Sequence, residues 1–182
     1  MYGIIFTFLK EYVEERHGGY ETWQTLLKAT TGQAYKLYLP VVDYPDKEIV
    51  ALAKTASKAL DIPLVDVLED FGSYVGPRLM SFYPMYLKDD LDNSFDMIIY
   101  AGANIHDAIH RHNPERKPPQ LSAHRELDNE LIIHYHSHRK LCPIVRGVVR
   151  GLGDRFNETL TVKETQCMHK GADKCIINVT KS

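Results

Sequence analysis

Three sets of residues in this 182-residue chain have side-chain types and spacings suited to chemistry. The first is histidine, with nine copies, seven of them between His106 and His138. His106 and His110 stand one helical turn apart. If Phe95, Ile98, Ile99, Gly102 and Ile105 form the buried stripe of a helix, a 3.6-residue period brings His106 onto that stripe. A neutral imidazole facing an apolar space suits an axial ligand to haem iron. The bland alternative is a hydrogen-bonded core histidine. A zinc-dependent hydrolase built on the pair is a third, but it lacks the adjacent glutamate of H-E-x-x-H. The second set is Tyr135-x-Ser137-x-Arg139. Alternation along a strand places this phenol, hydroxyl and guanidinium on one face, opposite His136 and His138. Such a row suits the paired carboxylates of a buried ligand, because arginine grips a carboxylate with two parallel hydrogen bonds. The third set is Cys142, Cys167 and Cys175 with His169. Three cysteines and a histidine are a closed zinc ligand set, and three free buried thiols are the alternative.

These groups need a scaffold. Hydrophobic periodicity predicts helices over 1–17, ended by Gly18-Gly19, over Glu21–Ala29 around Trp23, and over 46–60 with Ile49, Leu52, Ala53 and Ala56 on one face. Asp61-Ile62-Pro63 stops that helix and starts another, Leu64 to Met80. A connector over 81–90 leads to a helix over Leu91–Arg111, closed by Asn113-Pro114 and Pro118-Pro119. Residues 110–130 read as an exposed polar loop. Leu131–His136 is a strand, Pro143–Phe156 a helix with Gly147 and Gly151 at sites of close packing, and 158–166 with 175–180 a hairpin. Helices first and antiparallel strands later give an α+β fold. The expected architecture is an N-terminal helical lobe (1–62) on a larger lobe of helices and mostly antiparallel sheet (63–182), forming one domain.

Composition narrows the function. Lysine and arginine number 22 against 24 aspartates and glutamates, so no basic excess exists to drive nucleic-acid binding. No window approaches 18 uncharged apolar residues, no secretory signal is evident, and an odd cysteine count fits a reducing compartment. A cytoplasmic protein without a membrane span is expected.

Taken together, the Met1-Tyr-Gly-Ile start, Asn104-Ile105-His106, Pro118-Pro119 and Tyr135-x-Ser137-x-Arg139 resemble the H-NOX family, the haem nitric oxide/oxygen binding domains related to the sensor of soluble guanylate cyclase. The resemblance spans the whole chain. It implies haem b held between the two lobes, with His106 as proximal iron ligand and Tyr135, Ser137 and Arg139 on the propionates. Pro119 and Ile5 would pack on the porphyrin, and Leu9, Val75 and Ile144 would line the distal pocket. Oxygen-binding members resemble one another in carrying a tyrosine where this chain has Ile144. The implied function is therefore a sensor of nitric oxide, also open to carbon monoxide, that excludes oxygen. Tyr74, beside Val75, is the one neighbour that could supply a donor. Release of His106 would signal to a separate histidine kinase or cyclic-dinucleotide enzyme, with no catalysis in this chain. The zinc-bearing bacterial branch resembles it in Cys142, Cys167 and Cys175, and Glu164 stands where that branch places its fourth ligand. Glu164 and His169 both remain candidates. A zinc-binding structural or interaction module without haem is the alternative.

Overall fold

The computed structural model describes residues 1–82, 91–105, 111 and 118–182. The N-terminal part is helical, with α1 Gly3–Arg16, α2 Gly19–Thr31, α3 Asp46–Leu60 and α4 Leu64–Phe82. In α1 the buried residues include Ile4, Phe8, Leu9, Tyr12 and Val13, the spacing of one helical face. These pack with Trp23, Leu27, Leu52, Phe71 and Val75 into a first core cluster. The left-handed residue Asp61 (φ 52°) ends α3, as the Asp-Ile-Pro sequence predicts a stop there.

Helix α5 runs over Ser94–Tyr100 and passes directly into a π-helical turn, Ala101–Ile105. The expected helix over 91–111 therefore begins later, at an Asn93 cap whose side chain accepts from the Asp96 amide, and changes winding before His106. Helix α6, Cys142–Arg155, follows the second strand. The strands are β1 Gln120–Leu127, β2 Glu130–His136, β3 Leu160–Gln166 and β4 Cys175–Lys181. They form one antiparallel sheet in the order β1-β2-β4-β3. Strand β1 corrects the expected loop over 110–130: among the described residues it lies at a sheet edge, paired to β2.

Register sets the inner face. Leu131 pairs with Val179, Ile133 with Ile177 and Tyr135 with Cys175, all buried. With Phe95, Ile98, Val149 and Leu152 they make a second core cluster, apart from Tyr135 and Cys175, which join a third. Helix α4 serves both main clusters, with Phe71, Tyr74 and Val75 in the first and Met80 in the second. Among the described residues no helix is long and apolar enough to cross a membrane.

Helices α4 and α6 cross at glycines. A Cβ on Gly147 would lie 1.9 Å from the Glu69 carbonyl oxygen, and one on Gly72 would lie 2.3 Å from that of Ile144. Pro77 inside α4 removes the amide that would bond the Ser73 carbonyl. Gly151 approaches that oxygen so closely that a Cβ would sit 2.1 Å away. Only hydrogen fits at these points, and weak Cα–H···O contacts replace side-chain packing.

Candidate functional site

The crossing of α4 and α6 brings together a wall of half-buried apolar side chains at the edges of the two main clusters. Ile5, Leu79 and Ile144 are half-buried against the first cluster, Leu121, Val145 and Ile105 against the second, and Val148 against both. Leu9 and Val75 are fully buried behind them. Partly uncovered apolar side chains of this kind suit contact with a flat apolar cofactor. Pro119 is half-buried immediately before β1. His106 and His110 lie outside the described residues, as do the connector over 83–90 and Asn113-Pro114.

Tyr74 is buried in the first cluster, and its hydroxyl has no hydrogen-bond partner among the described residues. Its ring is edge-on to Tyr12 and lies under two guanidiniums, Arg78 at 3.4 Å and Arg16 at 5.2 Å from the centroid. Burial, with the Glu15 carboxylate adding to it, pushes the hydroxyl up to about 12. Ile144, half-buried, offers no donor.

The Tyr-Ser-Arg residues come together, but not on one strand. β2 ends at His136, and Ser137–Lys140 turn, with the Lys140 amide donating to the Ser137 carbonyl. Alternation fails at that turn, so Ser137 and Arg139 are placed by the loop. The Leu141 amide donates to the Tyr135 hydroxyl at 3.1 Å, and the Arg139 amide to Ser137 Oγ at 3.3 Å. Each hydroxyl oxygen thus accepts from an amide, and the Tyr135 and Ser137 side chains also hydrogen-bond each other. Burial raises the Tyr135 phenol above its ordinary value, against the pull of Ser137 and the Leu141 amide.

Arg139 has a partner that the sequence did not suggest. Its Nε donates to Asp46 Oδ2 at 2.7 Å, and His138 Nε2 lies 3.0 Å from the same oxygen. The N-terminal amine donates to Asp46 Oδ1 at 2.7 Å. Burial works against ionisation of Asp46, but the amine, His138 and Arg139 outweigh it and hold the carboxyl down at about 2.

The cysteine cluster is compact. One ligand atom each from Cys142, Glu164, Cys167 and Cys175 lies within 4.8 Å of all the others. The three thiols are free and buried, and the Met168 amide donates to Cys175 Sγ at 3.3 Å. Burial, then the Glu164 charge, pushes the Cys142 thiol up; burial chiefly drives Cys175 up to about 11. Glu164 Oε1 is buried and has no hydrogen-bond partner. A lone carboxylate oxygen aimed at three sulfurs is a donor set for a thiophilic divalent ion. His169 is not in the set. β3 ends at Gln166, and the 3-10 turn Met168–Lys170 carries His169 outward, where Nε2 meets the Lys140 carbonyl at 2.8 Å.

The family model described as haem-NO-binding matches residues 2–164. The chain belongs to the H-NOX family. The chain is 22% identical over 171 residues to soluble guanylate cyclase gcy-35 of Caenorhabditis elegans. That alignment covers 91% of this chain and 24% of the cyclase, so the chain spans about a quarter of that relative's length. Among solved structures, an H-NOX protein from S. oneidensis in the Fe(II)NO ligation state superposes with a TM-score of 0.90 at 24% identity, covering 100% of this chain and 99% of that one. A T. tengcongensis H-NOX mutant gives 0.85 at 17% identity, covering 100% and 98%. These likenesses establish an H-NOX fold, α+β as expected. The domain belongs to a family of haem-based gas sensors, which leaves a haem-free module without support.

Proposed function

We propose that this H-NOX domain binds nitric oxide at ferrous haem, with carbon monoxide as a second ligand. It does not retain oxygen, acts in the cytoplasm without catalysing a reaction, and reports to a separate histidine kinase or cyclic-dinucleotide enzyme. The observation that carries the selectivity is Ile144, an apolar side chain on the α4–α6 wall, with Tyr74 tied into a cation–aromatic stack elsewhere. A polar ligand such as oxygen is retained where a donor meets it, while nitric oxide needs none. When bound, haem supplies the iron on which the gas is captured. The chain's own residues do the rest. Tyr135, Ser137 and Arg139 would hold the cofactor's carboxylates through hydroxyl and guanidinium donors. Ile5, Leu9, Val75 and Ile144 would exclude water, Pro119 would pack on the ring, and His106 would be the protein ligand to the iron.

The same proposal gives Cys142, Cys167, Cys175 and Glu164 a structural zinc, supported by the unpartnered Glu164 Oε1. The test is the visible spectrum of the reduced, haem-loaded protein in air and under nitric oxide, with metal content measured on the same sample. A haem band that ignores air and shifts with nitric oxide to the five-coordinate form is expected, with one zinc per chain. A stable oxygen complex overturns the selectivity, and no haem uptake overturns the cofactor assignment.

A further inference from the structure

Glu164 stands where two networks meet. One of its carboxylate oxygens lies within 4.8 Å of the three sulfurs, and Oε1 is buried without a hydrogen-bond partner among the described residues. Oε2 accepts from Arg146 Nη1 at 2.8 Å. The same guanidinium donates to Glu69 Oε2 through Nε at 3.1 Å and lies 3.0 Å from it through Nη2. Arg150 adds a second cation on Glu69. The side chains of Arg146, Glu69 and Glu164 are only 13, 16 and 14% exposed, so water screens the bridge weakly. It joins three elements: β3 through Glu164, α6 through Arg146 and α4 through Glu69. Arg146 is next to Gly147 and two residues from Ile144. Glu69 supplies the carbonyl that Gly147 approaches. The path therefore runs from the metal donors to the helix crossing that carries the pocket wall.

We propose that Arg146 is the positioning residue of the metal centre, and that through it metal loading clamps α4 to α6. The inference rests on the zinc assignment above. A planar guanidinium shared by two carboxylates fixes both in orientation, which a flexible ammonium does not. With Oε2 fixed on Arg146, Oε1 is held toward the thiols before any ion arrives. A divalent ion among three thiolates and a carboxylate leaves negative charge in excess, and Arg146 lies beside it to offset part of that charge. Linkage makes the effect reciprocal: an ion that immobilises Glu164 immobilises Arg146, and with it Glu69 and the crossing.

The test measures zinc uptake by equilibrium dialysis against chelator-buffered zinc, with bound metal read by mass spectrometry. Hydrogen exchange of the α4 and α6 amides with and without zinc is read alongside. Both use the full haem-loaded chain and neither depends on gas binding. Removing a residue that orients a metal ligand weakens metal binding by 10–100-fold in other proteins, so Arg146→Gln is expected to bind zinc roughly tenfold more weakly. Arg146→Lys should recover part of the loss, since it restores the charge without the fork. Glu69→Gln, which touches no sulfur, should lose a smaller factor, and zinc should protect α4 and α6 in the native chain but not in Arg146→Gln. If Arg146→Gln fails to fold, Glu69→Gln decides. Native zinc affinity and native zinc-dependent protection in the folded variants overturn the bridge alone. A native chain that takes up no zinc overturns the zinc assignment and the bridge with it.

Discussion

Ile144 and Tyr74 sit on facing helices, Ile144 half-buried against the first cluster and Tyr74 buried within it. Replacing Ile144 by tyrosine places a phenol where the wall has no donor. One net hydrogen bond, about 1.4 kcal/mol, corresponds to a tenfold change in an equilibrium. Haem-loaded Ile144→Tyr is thus expected to retain oxygen roughly tenfold longer than the native domain, followed by absorbance after mixing with air-saturated buffer. Tyr74→Phe removes a hydroxyl from a ring stacked under Arg78 and Arg16, and the response to air should not change. An altered response there would return Tyr74 to the pocket. At this scale the sequence was informative about residue types and weak about direction. The three cysteines were legible from their spacing. The choice of Glu164 over His169 was not, because it depends on β3 stopping at Gln166 and a 3-10 turn rotating His169 away. Ser137 and Arg139 were likewise recognisable as a motif, while the turn that gathers them was hidden behind an apparent continuation of β2.

The helix pair α4–α6 needs glycine at its points of closest approach. Gly147→Ala would press a Cβ against the Glu69 carbonyl and the Gly72 Cα, at 1.9 and 2.8 Å, both backbone atoms that cannot rotate aside. The helices must separate, and a loss of about 3 kcal/mol or more in unfolding free energy is expected, read by urea titration. Gly32→Ala is the control. Gly32 has φ +78° and nothing within 4 Å, so its cost is backbone strain alone, about 1 kcal/mol. Equal losses at the two sites would show that the crossing tolerates separation. Gly147 and Gly151 were legible as close-packing positions because glycine in an otherwise good helix calls for a reason. The π turn over Ala101–Ile105 was not, since its residues continue a helical pattern and only the winding changes. Strand β1 was missed for a different reason. An edge strand with one covered face carries a short, polar sequence, and Ser122-Ala-His-Arg-Glu126 lacks the β-branched residues that mark central strands.

Over the whole molecule, the first cluster and the sheet lobe are joined by α4, by Val148 and by Asp46. Asp46 opens α3 yet bonds Arg139, 93 residues on, together with the N-terminal amine and His138. Such a long-range ion cluster leaves no local pattern, which is why Asp46 was legible only as a helix start. Its effect on stability has a definite sign. The carboxyl lies at about 2 in the folded chain against 3.8 without its partners, so between these values the unfolded chain binds more protons than the folded one. The stabilisation is complete above about pH 4 and drains away as the pH falls through about 2. Its size, after allowing for a side chain 31% exposed, is on the order of 1–2 kcal/mol. Asp46→Asn keeps the shape and removes the charge. The native chain should exceed the variant by that amount in urea unfolding at neutral pH, and the gap should close in acid. A gap that persists undiminished near pH 2 would mean that Asp46 stabilises the chain by packing, and that the charge link between the N-terminal helices and the Arg139 turn contributes nothing.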